Sequence, residues 1–193
     1  EFGLDARFFK NRLRLDATYY DQLSEDLIVD VQLYSTSGNG SSLQNIGEMS
    51  NVGYEIALGA TLFKNDDWKV DLDLNFAQNE NEVVSLGNDL ETLVLGGQWN
   101  VNVEARVGEA YGSLYGPGYA RNDAGEIILT NGLPTVGERK ILGNVTPDWT
   151  GGANLTVAYK NFTFGTLVDA KIGGDIFSMT NTWGRYAGVL EET

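Results

Sequence analysis

The sequence predicts an all-β chain, an antiparallel transmembrane β-barrel segment of about eight long strands with short turns at one end and long loops at the other. Three observations predict it. Apolar and polar residues alternate with a period of two over long stretches, the pattern of strands with two unlike faces. Short and long connections largely alternate along the chain, as in outer-membrane barrels, whose periplasmic turns are short and extracellular loops long. Aromatic residues gather beside the short connections, where a membrane interface would lie.

The clearest stretch is residues 52–76. Val52, Tyr54, Ile56, Leu58, Ala60 and Leu62 fall on every second position, with Gly53, Glu55, Ala57, Gly59 and Thr61 between them. After the polar turn Lys64-Asn65-Asp66-Asp67, Trp68, Val70, Leu72, Leu74 and Phe76 alternate with Lys69, Asp71, Asp73 and Asn75. Each arm has the length of a tilted membrane strand, about 9–11 residues. In a barrel, Val52, Tyr54, Ile56, Leu58, Val70, Leu72 and Leu74 would face lipid, and Glu55, Asp71 and Asp73 the interior.

The same hairpin recurs on either side. Phe2, Leu4, Ala6 and Phe8 alternate up to the turn Lys10-Asn11-Arg12, and Leu13, Leu15, Ala17 and Tyr19 follow it. The pattern loosens at 21–26 and returns at 27–33. Residues 34–45, with Ser37-Gly38-Asn39-Gly40, read as a flexible loop. A second long connection spans 86–99. Val101, Val103, Ala105 and Val107 then alternate, and the strand is expected to continue past Tyr111, Tyr115 and Tyr119, bent at Gly112, Gly116 and Gly118. Asn122-Asp123-Ala124-Gly125 is a tight turn, 126–130 a returning strand, and 131–147 a third long segment. In the last hairpin Ala153, Leu155, Val157 and Tyr159 precede the turn Lys160-Asn161, and Phe162, Phe164, Thr166 and Val168 follow it. Gly173-Gly174 breaks the strand, and an irregular segment with Trp183 and Tyr186 ends the chain.

Antiparallel pairing of neighbours would put the turns at Asn11, Asn65 and Asn161 at one end and the loops around Asn39, Asn88 and Leu133 at the other. By strand parity the Asn122 turn belongs with the short turns. Phe8, Phe9, Phe63, Trp68, Tyr159 and Phe162 flank the short turns as one interfacial belt. Alternation alone also suits a soluble β-sandwich, such as a carbohydrate-binding module, whose two apolar faces meet in a core.

Composition excludes several classes. The chain of 193 residues has no Cys and no His. It therefore has no disulfide framework and no His-based catalytic triad, and few transition-metal sites are open to it. Only oxygen-ligand metals such as Ca²⁺ remain, and no motif supports one: the 122–126 stretch lacks EF-hand spacing. With a net charge of −14 and 13 scattered basic residues, nucleic acid is not an expected partner. No apolar run reaches the roughly 18 residues of a membrane helix, a criterion that barrel strands escape.

Several phrases carry a resemblance. Gly47-Glu48-Met49-Ser50-Asn51-Val52-Gly53-Tyr54-Glu55, Val107-Gly108-Glu109-Ala110-Tyr111-Gly112-Ser113-Leu114-Tyr115-Gly116 and Leu142-Gly143-Asn144-Val145-Thr146-Pro147-Asp148-Trp149-Thr150-Gly151-Gly152 stand in that order, followed by Tyr159-Lys160-Asn161-Phe162 and Gly173-Gly174-Asp175-Ile176-Phe177. Together they resemble the C-terminal part of the barrel of SusC/RagA TonB-dependent outer-membrane transporters. The resemblance covers nearly all of residues 1–193 and implies a partial barrel, with the plug, the early strands and the final strand outside it. It also implies uptake of large nutrients, glycans or peptides, across the bacterial outer membrane. The partners it implies are a SusD-like surface lipoprotein, TonB acting through the plug part, outer-membrane lipid and the remainder of the barrel.

The first residue, Glu1, lies within an alternating stretch, so the chain reads as a piece of a longer barrel with open edges near 2–9 and 162–172. Within it, Tyr34, Trp99, Tyr115 and Trp183 are the candidate ligand contacts, since aromatic faces pack on sugar rings. The competing role is loop anchor or interfacial belt. Glu55, Asp71, Asp73, Glu104 and Asp169 are expected to solvate a wet lumen or to pair with Lys69 and Arg106. No catalytic residue and no cofactor is expected.

Overall fold

The computed structural model describes residues 1–32, 38, 40–87 and 89–191. Six strands form one antiparallel sheet: β1 (Phe2–Phe8), β2 (Leu13–Gln32), β3 (Ser41–Lys64), β4 (Trp68–Ser85), β11 (Pro147–Tyr159) and β12 (Phe162–Gly173), in that spatial order. Between β4 and β11 lie β5 (Thr92–Gln98), β6 (Val101–Arg106), β7 (Ser113–Tyr119), β8 (Leu129–Thr130), β9 (Leu133–Pro134) and β10 (Val136–Asn144). Of these, β10, β7, β6 and β5 build a separate four-stranded sheet, and β8 pairs with β9. The helix α1 (Met179–Tyr186) follows β12.

The register puts like residues side by side. Ala6, Leu15, Leu58, Leu74, Ala153 and Val168 form one row across all six wall strands. One residue along each strand, Asp5, Asp16, Ala57, Asn75, Gly152 and Asp169 form the next row, on the opposite face. The wall thus has one apolar and one polar face, with the expected face residues of β3 and β4 sorted as predicted. Aromatic pairs frame the apolar band. Trp68 and Tyr159 (4.4 Å between ring centroids) mark the short-turn end; Tyr19 with Tyr54 (5.1 Å) and Phe76 with Trp149 (5.8 Å) mark the other. From Trp68 to Phe76 the strand rises about 26 Å at ~3.3 Å per residue, and tilt shortens that to a bilayer's apolar depth.

Among the described residues no second layer covers the apolar face. Among the described residues the buried apolar side chains are Val31, Val83, Leu86, Val101, Ala105 and Leu114, none of them in this band. Phe164 is 65% exposed and Val168 63%. A β-sandwich would bury these positions against a facing sheet, so that reading is set aside.

The short turns gather at one end. Thr61 N donates to Arg12 O (2.7 Å) and Lys160 N to Asp67 O (2.8 Å). Asn65 closes the β3–β4 turn: its Oδ1 accepts from Asp67 N (3.0 Å) and Trp68 N (2.7 Å). The opposite end carries the last residues of β2, the first of β3 and the described residues of the 86–146 insert. Asn39 and Asn88 lie outside the described residues.

The structure corrects the sequence reading in several places. The alternating 101–107 stretch is not a wall strand but the centre of the second sheet, so β4 pairs directly with β11 and the wall has six strands here. Period two reports a two-faced strand, not which sheet it joins. The Asn122 turn sits within the insert, so wall parity does not apply to it. The stretches expected as loops at 86–99 and 131–147 contain β5, β9 and β10. Loosened alternation at 21–26 is a bulge, with Asp26 at φ 56°. A second bulge sets Phe63, rather than Leu62, opposite Val70. Ser178 starts the helix where an irregular tail was expected, its side chain accepting from Asn181 N at 3.2 Å.

Candidate functional site

The insert is bolted to the tip of β4. Val83, Leu86 and Ala105 pack as one small core, joined by Leu90 and Leu93. Val83 N donates to Glu109 O and Gly108 N to Val83 O, both at 2.9 Å, and Tyr111 N donates to Asn81 Oδ1 at 2.7 Å. Gly87, at φ 67°, lies against Ile46, where a side chain would collide with β3.

The segment just after β12 is tied to the last residue of β10. Asp175 N donates to Asn144 O (2.6 Å), and its carboxylate accepts from Asn144 N (3.0 Å). Gly143 has no Cβ, and one would lie 2.5 Å from Asp175 Cγ. Two phrases 31 residues apart in sequence are thus one junction, and it sends the chain back across the second sheet into α1.

This path brings two predicted site residues together. Trp99, in the β5–β6 turn, meets Trp183 of α1 edge to face, with centroids 4.9 Å apart and planes at 81°. Tyr186, one turn along the same helix face, meets Trp183 at 5.5 Å. The three rings line a pocket of about 820 Å³ with Val101, Tyr119, Ile141, Leu142 and Phe177, and Arg121 and Lys140 also line it. A concave, largely apolar pocket with a few polar groups is the common form of a small-ligand site.

Tyr115 lies elsewhere, on the polar side of the second sheet. Arg106 stands 4.2 Å from its ring centroid and Arg139 5.1 Å, one from each flanking strand. Arg106 also bonds Glu104 (3.2 Å) and Thr92 (3.1 Å), and Asn102 donates to Glu104 at 2.9 Å. Glu104 is only 3% exposed, so a charged carboxylate is held here by its partners. Tyr34 lies outside the described residues.

The expected pairing of acids holds. Lys69 meets Asp71 at 2.6 Å on the wall, and Arg106 meets Glu104. The 122–126 turn uses its own oxygens: Asn122 Oδ1 accepts from Ala124 N and Glu126 N. Sequence reasoning missed Tyr186, Phe177 and the two guanidiniums on Tyr115. The Ser178 cap and the i, i+3 spacing of Trp183 and Tyr186 were the available signals for the helix; nothing local pointed to Arg139.

The family model described as TonB dependent receptor-like, beta-barrel matches residues 1–190. The chain belongs to that family. Relatives agree with its SusC/RagA branch. The chain is 34% identical over 205 residues to TonB-dependent receptor P3 of Formosa agariphila, covering 93% of this chain and 20% of that receptor. It is 28% identical to TonB-dependent receptor SusC of Bacteroides thetaiotaomicron, over 91% of this chain and 19% of SusC. Among solved structures it resembles the RagAB peptide transporter (TM-score 0.69, 28% identity) and the RagAB peptide importer in the closed-closed state (TM-score 0.72, 27% identity). Each covers 89% of this chain, which spans 20% of the matched one. The six-stranded sheet is therefore a segment of an outer-membrane barrel wall, and its apolar face is the lipid face.

Proposed function

We propose that this segment belongs to a TonB-dependent transporter that takes up large nutrients, glycans or peptides, together with a SusD-like surface lipoprotein. One observation carries the reading: a barrel-wall sheet with a lipid face and a polar face supports, at its loop end, a folded insert with an aromatic pocket. A wall segment needs no such insert to span the membrane; a receptor needs ligand contacts at its mouth. The RagAB relatives are named as a peptide transporter and importer, which supports peptides as one substrate class. Trp99 and Trp183 are assigned as ligand contacts. Tyr34 and Tyr115 are kept as candidates, Tyr115 for its flanking cations. The segment acts without catalysis and without a cofactor. The outer strands β1 and β12 pair with the remainder of the barrel, because unpaired backbone groups in hydrocarbon cost several kcal/mol each. Plug, early strands and final strand complete the protein, and TonB acts through the plug.

The test is affinity purification of the full-length protein from outer membranes. A surface lipoprotein should co-purify, and deleting the gene should abolish uptake of a glycan or peptide that the intact strain imports. Unchanged uptake across both classes, with no lipoprotein recovered, would refute the proposal.

A further inference from the structure

The two guanidiniums on Tyr115 are not equivalent. Arg106 is neutralised: Glu104 lies 3.2 Å away and is itself buried and fixed by Asn102. Arg139 approaches the ring from β10, and its Nη2 donates to Tyr115 O at 3.2 Å. Among the described residues no carboxylate lies within ion-pair distance of it. A guanidinium has five N–H donors, so most of those on Arg139 remain for another partner. The side chain is also exposed.

Position adds to chemistry. The ring and the backbone carbonyl hold the guanidinium plane in place, so less side-chain entropy is lost when an anion docks. The Glu104–Arg106–Arg139 cluster carries one net positive charge in a chain of net charge −14. An acidic surface repels anions, and an isolated fixed cation is where an anionic group would be drawn. The planar fork matches a carboxylate, which it can bind through two parallel hydrogen bonds.

We infer that Arg139, set on the Tyr115 ring beside the neutralised Glu104–Arg106 pair, receives a carboxylate of the transported ligand. This rests on the uptake reading above and narrows it to acidic ligands, either uronate-bearing glycans or peptides with a free C-terminus.

The experiment uses the full-length receptor purified in detergent and isothermal titration calorimetry. Two ligand pairs separate the sources: a short oligogalacturonate against its carboxyl-reduced neutral counterpart, and a hexapeptide against its C-terminal amide. Wild type should prefer the acid of one pair. R139Q should lose roughly ten- to hundredfold for that acid, the worth of a hydrogen bond to a charged group, and leave the neutral partner unchanged. R139K should recover part of the loss. Heat-modifiable gel migration confirms that both variants are folded. If wild type binds acid and neutral members equally, the carboxylate assignment is overturned while the uptake reading stands. If R139Q weakens both members equally, Arg139 is a packing residue and the assignment is also overturned. If no member of either pair binds, the assignment falls, and the uptake reading falls for these classes with it.

Discussion

Arg14 of β2 and Asp73 of β4 meet across the strand between them, with Arg14 Nη2 3.1 Å from Asp73 Oδ1. They meet because the intervening residue of β3 is Gly59, which stands opposite both. A Cβ there would lie 2.6 Å from Arg14 Nη2 and 2.9 Å from Asp73 Oδ1. The arrangement recurs on the same polar face. Tyr20 Oη reaches Asn79 Oδ1 at 3.1 Å over Gly53.

The two glycines should tolerate substitution differently. At Gly59 the obstacles are the far ends of two exposed side chains, and such pairs contribute about 0–1 kcal/mol. G59A should therefore cost less than ~1 kcal/mol. At Gly53 an added Cβ would run into the backbone oxygen of Gln78 as well as the Tyr20 ring. Overpacking against atoms that cannot swing away costs roughly 1–3 kcal/mol. Urea unfolding of the full-length barrel in lipid vesicles should rank G53A below G59A; the reverse order would contradict the packing described.

Charge on the lipid face is the second test. L58R or L72R should cost roughly 2–4 kcal/mol if the site lies near the bilayer midplane. D73R, on the polar face, should cost much less, even though it gives up the Arg14 pair. The same vesicle assay measures both, and equal penalties would contradict the face assignment.

These faces were legible in the sequence because period two is enforced wherever lipid meets one side and water the other. Leu58 and Asp73 could be sorted from neighbours alone. The second sheet was not legible: Val101, Val103 and Ala105 alternate just as wall residues do, and only pairing reveals their partners. Nor was the meeting of Trp99 with Trp183, which depends on the Asn144–Asp175 junction turning the chain back over the insert. Bulges at Asp26 and Leu62 shift the register by one residue, which a periodic pattern blurs but does not locate.

The Asn144–Asp175 junction gives a third prediction. D175A removes the acceptor for Asn144 N, and leaving a donor unmet costs about 1–3 kcal/mol where it is buried. The effect should be local. Amide exchange should rise at residues 143–149 and 175–186, and β2–β3 should be unchanged. Uniform exchange across the wall would show that the junction does not hold α1 in place.

Loss of the aromatic pocket gives a fourth. W99A and W183A should each weaken ligand binding by the full-length receptor, roughly five- to tenfold for an aromatic contact of ~1 kcal/mol or slightly more. Because the rings touch, the double variant should lose less than the sum of the two. Additive losses would place Trp99 and Trp183 in separate sites.

The central claim is that the six-stranded sheet is a membrane wall with one face to lipid. Spin labels placed singly at residues 69 to 76 of β4, in the full-length protein in lipid vesicles, test it most directly. Val70, Leu72, Leu74 and Phe76 should be accessible to oxygen and shielded from a water-soluble nickel chelate. Lys69, Asp71, Asp73 and Asn75 should show the opposite preference, giving an oscillation of period two. Labels at Leu72 and Leu74 as open to the nickel chelate as those at Asp71 and Asp73 would contradict the account.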